Sequence, residues 1–262
     1  MAKRYEKVSD DLRRRVESGE YAPGDRLPAE TTLVAEYKVS LPTLRQALAA
    51  LQNEGIIEKR HGRGSFVRQA RQRAERSNLR HQWEKDRART DLSERSATGA
   101  TELDTGLTIK QLAFHAEYER IEASEELAAA LGIEPHTAVL KRTFRTRSVN
   151  EDEPLNVARS YIPYEIAAQN PDLLDESKEP WPGGTMNQLH TVGIEVDRVE
   201  EVVTARPPTS EEIDELGLMP GVAIMDVRKT LYDINGRIVE VADVALPGDR
   251  YAVKCVTTLE RW

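Results

Sequence analysis

Ser40-Leu41-Pro42-Thr43-Leu44-Arg45-Gln46-Ala47-Leu48 runs on through Leu51 and Gly55-Ile56-Ile57 to Lys59-Arg60-His61-Gly62-Arg63-Gly64-Ser65-Phe66-Val67. Ser40 is a good N-cap, because its hydroxyl accepts one of the backbone N–H groups left open where a helix begins. Pro42 falls in the first turn, where a missing N–H costs nothing. Leu44, Leu48 and Leu51 recur at helical spacing and mark a buried side, and Gly55 ends the helix. Thr43 and Arg45 lie off that stripe, near the amino end. Behind the helix, Ile56-Ile57-Glu58 and Ser65-Phe66-Val67 read as short β segments around Arg60-His61-Gly62-Arg63-Gly64. The two glycines admit a tight hairpin and let backbone approach a phosphate or the minor groove. Such a hairpin means little alone. Directly after a capped helix it reads as a basic wing beside a DNA-recognition helix. The amino end of that helix enters the major groove in a helix-turn-helix, and an arginine fork there matches two acceptors on guanine.

Toward the N-terminus, Tyr5, Val8, Leu12 and Val16 form one apolar stripe and predict a helix over about 5–18, stopped by Gly19. Arg13, Arg14 and Arg15 read either as a solvated face or as a phosphate contact. Ala22-Pro23-Gly24-Asp25 is a turn. A second helix spans about 29–37, with Leu33 and Tyr37 inward. The charge supports a reader at this end. The chain of 262 residues has a net charge of −8, yet residues 1–95 hold 21 Lys and Arg against 15 Asp and Glu. The remainder is strongly acidic. A basic head on an acidic body implies that only the head meets a polyanion.

Beyond Val67 the composition becomes highly charged, and the stretch to about residue 106 reads as a linker, partly helical. Within it, Ala97-Thr98-Gly99-Ala100-Thr101 is a small-residue loop that can present backbone N–H groups to an anion. The second domain follows. Ser124 caps a short helix that closes on Gly132. Val139 to Arg147 alternates as a strand, and Leu155 to Tyr161 returns. Pro163 opens a helix, and another spans 185–192. Glu195 to Ala205 is extended, and Thr209-Ser210-Glu211-Glu212 is a capping box. Val222 to Tyr232 and Ile238 to Ala245 flank the hairpin signal Asn235-Gly236. Tyr251 to Thr258 is expected to close the sheet, with Cys255 a small buried residue in it. The fold class is α+β with a largely antiparallel sheet.

Residues 4–68 resemble the winged-helix domain of the GntR family of bacterial transcription regulators. The resemblance rests on Gly24-Asp25-Arg26-Leu27-Pro28-Ala29-Glu30, Val39-Ser40, Thr43-Leu44-Arg45-Gln46-Ala47-Leu48, Glu54-Gly55 and His61-Gly62-Arg63-Gly64-Ser65-Phe66-Val67. The family carries an Arg just after Glu30 and another just after Ser40. Here those positions are Thr31 and Leu41, which changes the operator expected rather than the binding of DNA; Leu41 suits a thymine methyl. The second half resembles the effector-sensing UTRA domain of the HutC/FarR branch, whose fold is like chorismate lyase. That rests on Arg145-X-Arg147, Glu153-Pro154, Ser160-Tyr161-Ile162-Pro163, Ala205-Arg206-Pro207-Pro208, Leu216-Gly217-Leu218-X-Pro220-Gly221 and Gly248-Asp249-Arg250-Tyr251.

The organisation expected is a winged helix-turn-helix over 1–68, a charged linker over 69–106 and an effector-binding, dimerising UTRA domain over 107–262. The DNA contacts expected are Ser40, Leu41, Thr43, Arg45, Arg60, His61, Gly62, Arg63 and Gly64. The resemblance implies a homodimer on an inverted-repeat double-stranded DNA operator, released by a small anionic effector: a sugar phosphate, an organic acid or a fatty acid. Arg145 and Arg147 share one face of a strand, and two guanidiniums there call for an anion, from a ligand or from buried acids. Ser160 can donate to the same anion, and Glu240 can accept from ligand hydroxyls or amines. Arg142, three residues from Arg145, is placed on the opposite side.

No nucleophile elbow, triad or metal-ligand spacing appears, His115, His136 and His190 being scattered, so neither an enzyme nor a cofactor is expected. An enzyme or metabolite carrier fused to a DNA-binding head, and a constitutive DNA-binding dimer, are the alternatives. With no apolar run long enough to span a bilayer and no signal core, the location expected is the cytoplasm.

Overall fold

The computed structural model describes residues 3–60, 62–69 and 73–261. It divides into two compact units. One takes the N-terminal residues as far as Gln72 together with Leu218–Ala223; the other takes Arg73–Gly217 and everything from Ile224 onward.

The first unit holds α1 (Arg4–Glu17), α2 (Glu30–Tyr37), α3 (Leu41–Asn53), β1 (Ile57–Arg60) and β2 (Gly64–Val67). Each helix buries one apolar stripe. Val8 and Leu12 of α1, Leu33 of α2, and Leu44, Ala47, Leu48 and Leu51 of α3 close one core, completed by Ile57 and Val67 at the base of the hairpin. The signals at the ends of the helices act as expected. Thr43 donates its backbone N–H to Ser40 Oγ at 3.4 Å, and α2 ends at Lys38 in the left-handed region, φ 50°. The run Arg13–Arg15 is a surface of ion pairs, with Glu54, Asp11 and Glu20 as partners.

The second unit begins with β3 (Ala74–Ser77) and three helices, α4 (Arg80–Arg87), α5 (Leu92–Ala97) and α6 (Ala100–Thr105). These occupy the stretch expected as a linker. We call residues 80–105 the strap. Then come β4 (Leu112–Glu122), α7 (Glu125–Leu131), β5 (Ala138–Ser148), β6 (Asn156–Pro163), α8 (Tyr164–Ala167), α9 (Gly184–Thr191) and β7 (Val196–Arg206). The chain ends with α10 (Ser210–Leu216), β8 (Ile224–Asp233), β9 (Ile238–Pro247) and β10 (Tyr251–Lys254). Six strands form an antiparallel sheet in the order β4-β5-β6-β9-β8-β7.

The two faces of this sheet are used differently. On one, Val139 and Val241 pack beneath Ala128 and Leu131 of α7. On the other, Leu140, Ile162 and Leu231 pack under Ile166 of α8 and Leu189 of α9. Toward the other end of β5 and β6 that second face turns polar. Two expectations for the C-terminal strand fail here. β10 does not close the sheet but pairs in parallel with β3, Tyr251 opposite Ala74. Cys255 lies just past β10 and is exposed, because a strand of four residues ends before reaching it.

Candidate DNA-reading surface and effector cavity

The side of α3 that faces away from the core is open. Ser40, Leu41 and Arg45 are exposed and Thr43 is half-buried, while Leu44 and Leu48 lie inside. The two hydroxyls of Ser40 and Thr43 bond to each other at 2.8 Å, which seats them at the amino end of the helix. Arg45 donates from Nε to Glu30 Oε2 at 2.9 Å, although 60% of its side chain remains exposed. A pair that open contributes about 0–1 kcal/mol, so it orients the guanidinium without locking it away.

β1 and β2 pair from Ile57 opposite Val67 to Arg60 opposite Gly64. Gly62 and Gly64 take φ of 69° and 109° at the tip, which few other residues would adopt. Arg60 lies over the Phe66 ring at 4.4 Å and pairs with Glu58. Arg63 and Gly62 stand exposed on the turn. His61 lies outside the described residues. Arg26 belongs to this surface although sequence reasoning gave it no role: it is exposed, bridges to Phe66, and its Nε would sit 3.2 Å from a Cβ at Gly64. The signal available for it was its place in the Gly24–Glu30 motif.

In the second unit, the polar stretch of the sheet floors a cavity of about 420 Å³, within the range that holds small ligands. Alternate residues of four strands supply the floor: Phe114 of β4, Phe144 and Thr146 of β5, Asn156, Ala158 and Ser160 of β6, and Glu240, Ala242 and Val244 of β9. The strap and the loop Pro180–Thr185 before and into α9 supply the walls. A register shift lets Leu231 of β8 oppose Glu240 while Tyr232 opposes Ile238, leaving Val239 as the extra residue. Such bulges re-aim side chains; here Val239 enters the core and Glu240 the cavity.

Glu240 is the hub of the floor. Its Oε1 accepts from Arg142 Nη2 at 2.7 Å and from Ser160 Oγ at 2.5 Å, and Lys229 Nζ lies 3.0 Å from Oε2. Burial acts to raise the Glu240 pKa, but Lys229 and Arg142 outweigh it and hold the carboxylate below its ordinary value. Arg142, itself 1% exposed, also donates to Gln188 Oε1 at 2.6 Å.

The strap brings a second cluster. Arg76 of β3 meets Glu201, and Arg80 meets Asp104 and Glu84. His81 lies between Glu84, 3.6 Å from Nδ1, and Glu201, 3.3 Å from Nε2. Burial lowers the His81 pKa, yet the two carboxylates overcome it and the ring is held above its ordinary value. Each ring nitrogen thus has a carboxylate within ion-pair distance. Burial pushes Asp104 up to about 6 against the pull of Arg80.

Of the four residues expected to hold an effector, Ser160 and Glu240 line this cavity. Arg145 and Arg147 do not. They share a face, as the period of two requires, but it is the other face of β5. Arg145 donates to Glu215 of α10 and Glu117 of β4 at 2.6 and 2.9 Å, and Arg147 to the carbonyl of Glu151 at 3.1 Å. Acids of the same unit satisfy Arg145. Arg142 is inside because it lies an odd number of residues from both. Sequence reasoning takes the strap for a partly helical linker and singles out only residues 97–101, four of which line the cavity; it misses the wall formed by Arg87 and Arg95, since charged residues with few apolar neighbours read as solvated chain. Among the described residues no cluster of His, Cys, Asp and Glu is arranged to hold a metal ion, and no helix is long and apolar enough to cross a membrane.

Comparison with known proteins separates the same two parts. Residues 4–67 match the family model of bacterial regulatory proteins of the gntR family, and residues 115–252 match the UTRA domain model. The chain is 28% identical over 248 residues to the transcriptional repressor NagR of Bacillus subtilis, covering 94% of this chain and 91% of that protein. It is 26% identical over 252 residues to MngR of Escherichia coli, the repressor of a mannosyl-D-glycerate transport and metabolism system, covering 94% and 92%. A solved transcriptional regulator superposes over 98% of both chains with a TM-score of 0.68 at 28% identity.

Proposed function

Because the chain belongs to the GntR family of bacterial regulatory proteins, in the branch that pairs a DNA-binding helix-turn-helix with an effector-binding UTRA domain, we propose that it is a repressor released from its operator by a small ligand in the cavity. Its relatives NagR and MngR carry repressor in their names. The observation that carries the reading is the cavity itself: a space of about 420 Å³, floored by charged and hydroxyl groups, inside the half that matches the sensing domain.

On this reading α3 lies in the major groove, with Ser40, Leu41, Thr43 and Arg45 at the bases and Arg60, Gly62, Arg63 and Gly64 of the wing on the adjacent backbone. Arg45 exchanges its exposed bond to Glu30 for a base edge. The protein acts as a homodimer, so that two readers meet the halves of an inverted repeat. The effector is small and anionic, and Ser160 and Glu240 contribute to its site. It acts only through its different affinity for the DNA-bound and released forms. A coupling of about 1–3 kcal/mol changes operator affinity about 5–150-fold.

The test is to select genomic DNA with the full-length protein, then challenge the complex with fractionated cell metabolites in a mobility-shift assay. An inverted-repeat site released by an anionic fraction is the expected result. Retention of the complex against every fraction would sink the effector half of the reading, and failure to enrich any sequence would sink the whole.

A further inference from the structure

Nearly every cation around the cavity is neutralised inside the protein. Arg76 has Glu201, Arg80 has Asp104 and Glu84, His81 has Glu84 and Glu201, and Lys229 and Arg142 share Glu240. Arg87 and Arg95, both in the strap and both lining the cavity, are different. Their bonds run to backbone carbonyls alone.

Arg87 is only 7% exposed. Its Nη2 donates to the carbonyls of Glu94 and Arg95 at 3.1 and 2.7 Å, and its guanidinium lies 4.3 Å from the centre of the Trp83 ring. Burial pulls its pKa below the ordinary guanidinium value, and Glu94, Glu102 and Glu84 oppose that only from beyond ion-pair distance. Arg95 donates from Nη1 to the carbonyl of Thr90, and its Nε is buried without a hydrogen-bond partner. The stem of Arg95 runs against Gly183, where an added Cβ would meet Arg95 Cδ at 2.8 Å. Gly183 thus leaves the room that lets Arg95 reach the cavity wall.

Taking a guanidinium out of water without a counter-charge is strongly unfavourable. A fold that buries Arg87 and half-buries Arg95 beside it, the Nη2 of one bonded to the backbone of the other and, among the described residues, no carboxylate in ion-pair contact with either, leaves a place for negative charge. We propose that Arg87 and Arg95 form the oxyanion subsite of the cavity and take the phosphate or carboxylate of the ligand. This rests on the reading that the cavity holds the effector. It assigns the anion to residues between the two family-matched regions, which end at 67 and resume at 115, and not to the paired Arg145 on the far face of the sheet.

Inorganic phosphate is the probe, with acetate as the carboxylate arm. Trp83 under Arg87 and Trp181 in the cavity wall make tryptophan fluorescence of the full-length protein the readout. Wild type is expected to give a saturable change with one or both anions. In Arg87→Gln and Arg95→Gln, each checked for a wild-type thermal transition, the dissociation constant should rise about tenfold or more, as loss of a charge-assisted bond implies. Arg145→Gln should bind as wild type. If one glutamine variant unfolds, the other decides; Arg95→Lys, which keeps the charge, should recover part of the affinity. Unchanged affinity in the glutamine variants, or no saturable response in wild type, would overturn the assignment. The metabolite challenge of the operator complex judges the underlying reading separately. Equal release of wild type and of the Arg87→Gln/Arg95→Gln double variant would leave the effector and remove the subsite.

Discussion

In the N-terminal unit Arg45 keeps most of its side chain in water and holds Glu30 by a bond it can surrender, and Arg63 stands on a turn of exposed backbone. In the second unit Arg142 is fastened on every side, to Glu240, Ser160 and Gln188, with almost nothing exposed. The same side chain is presented in one place and consumed in the other. An arginine that must meet a partner is left accessible and lightly held; one that shapes a cavity is paid for internally. Counting arginines therefore says little about where a ligand sits. What distinguishes a binding guanidinium is whether its charge has already been met by a buried partner that it cannot give up.

The sharpest way to break this contrast is Glu240→Ala. Arg142 would be left buried, and Lys229 half-buried, without their carboxylate, so the second unit should lose about 3–5 kcal/mol, read as a lower melting transition. A wild-type melt would mean that the floor is not held by charge. Arg45→Ala should instead leave stability unchanged and cost about 1–3 kcal/mol of operator affinity, with relaxed base preference. Equal mobility shifts for variant and wild type would remove α3 from the groove.

Next in size is a pH effect on the strap. His81 is held above its ordinary 6.5, so its contribution is complete below that pH and is lost as the pH rises through the raised value. Asp104 acts in the same direction: with its pKa near 6 the unfolded chain ionises first, and stability falls as the pH climbs from 3.8 toward 6. Glu84 and Glu201, lowered to about 2, act oppositely and lose their contribution as the pH falls below 4.5. Melting temperature should therefore decline as the pH rises from 6.5 through the raised His81 value, and His81→Gln should flatten that decline; parallel curves for the two proteins would clear His81 of the role. The smallest effect is expected of Arg145→Ala. Its pairs with Glu117 and Glu215 are partly exposed, a class contributing about 0–1 kcal/mol, and operator release by an active metabolite fraction should survive. Its loss would return Arg145 to the ligand site.

The reader was legible because each of its signals is local. A cap at Ser40, leucines at helical spacing and glycines at the hairpin tip all act within a few residues. The sensing unit was legible only as strands and turns. The period of two put Arg145 and Arg147 on one face, correctly, but which face covers a cavity depends on where α7, α8, α9 and α10 pack, and no local pattern carries that. The bulge turns Glu240 inward, and the ion pairs of β3 and the strap join residues more than a hundred positions apart in some cases, as with Arg76 or His81 and Glu201. Charge that satisfies charge at such distance is invisible until the chain is folded.

β3 and β10 run in the same direction, Ala74 beside Tyr251 and Ser77 beside Lys254. A pull between Arg73 and Cys255, at opposite ends of the pair, therefore loads all of their cross-strand bonds together, in shear, and does not peel them one by one. Tyr251 is moored to Asn156 at 2.5 Å, and neighbouring Arg250 to the carbonyls of Pro154 and Leu216. The bonds of Arg250 tie that pair to the β5–β6 turn and the end of α10, so an optical trap gripping residues 73 and 255 should meet a stiff, brittle rupture and not a gradual unravelling.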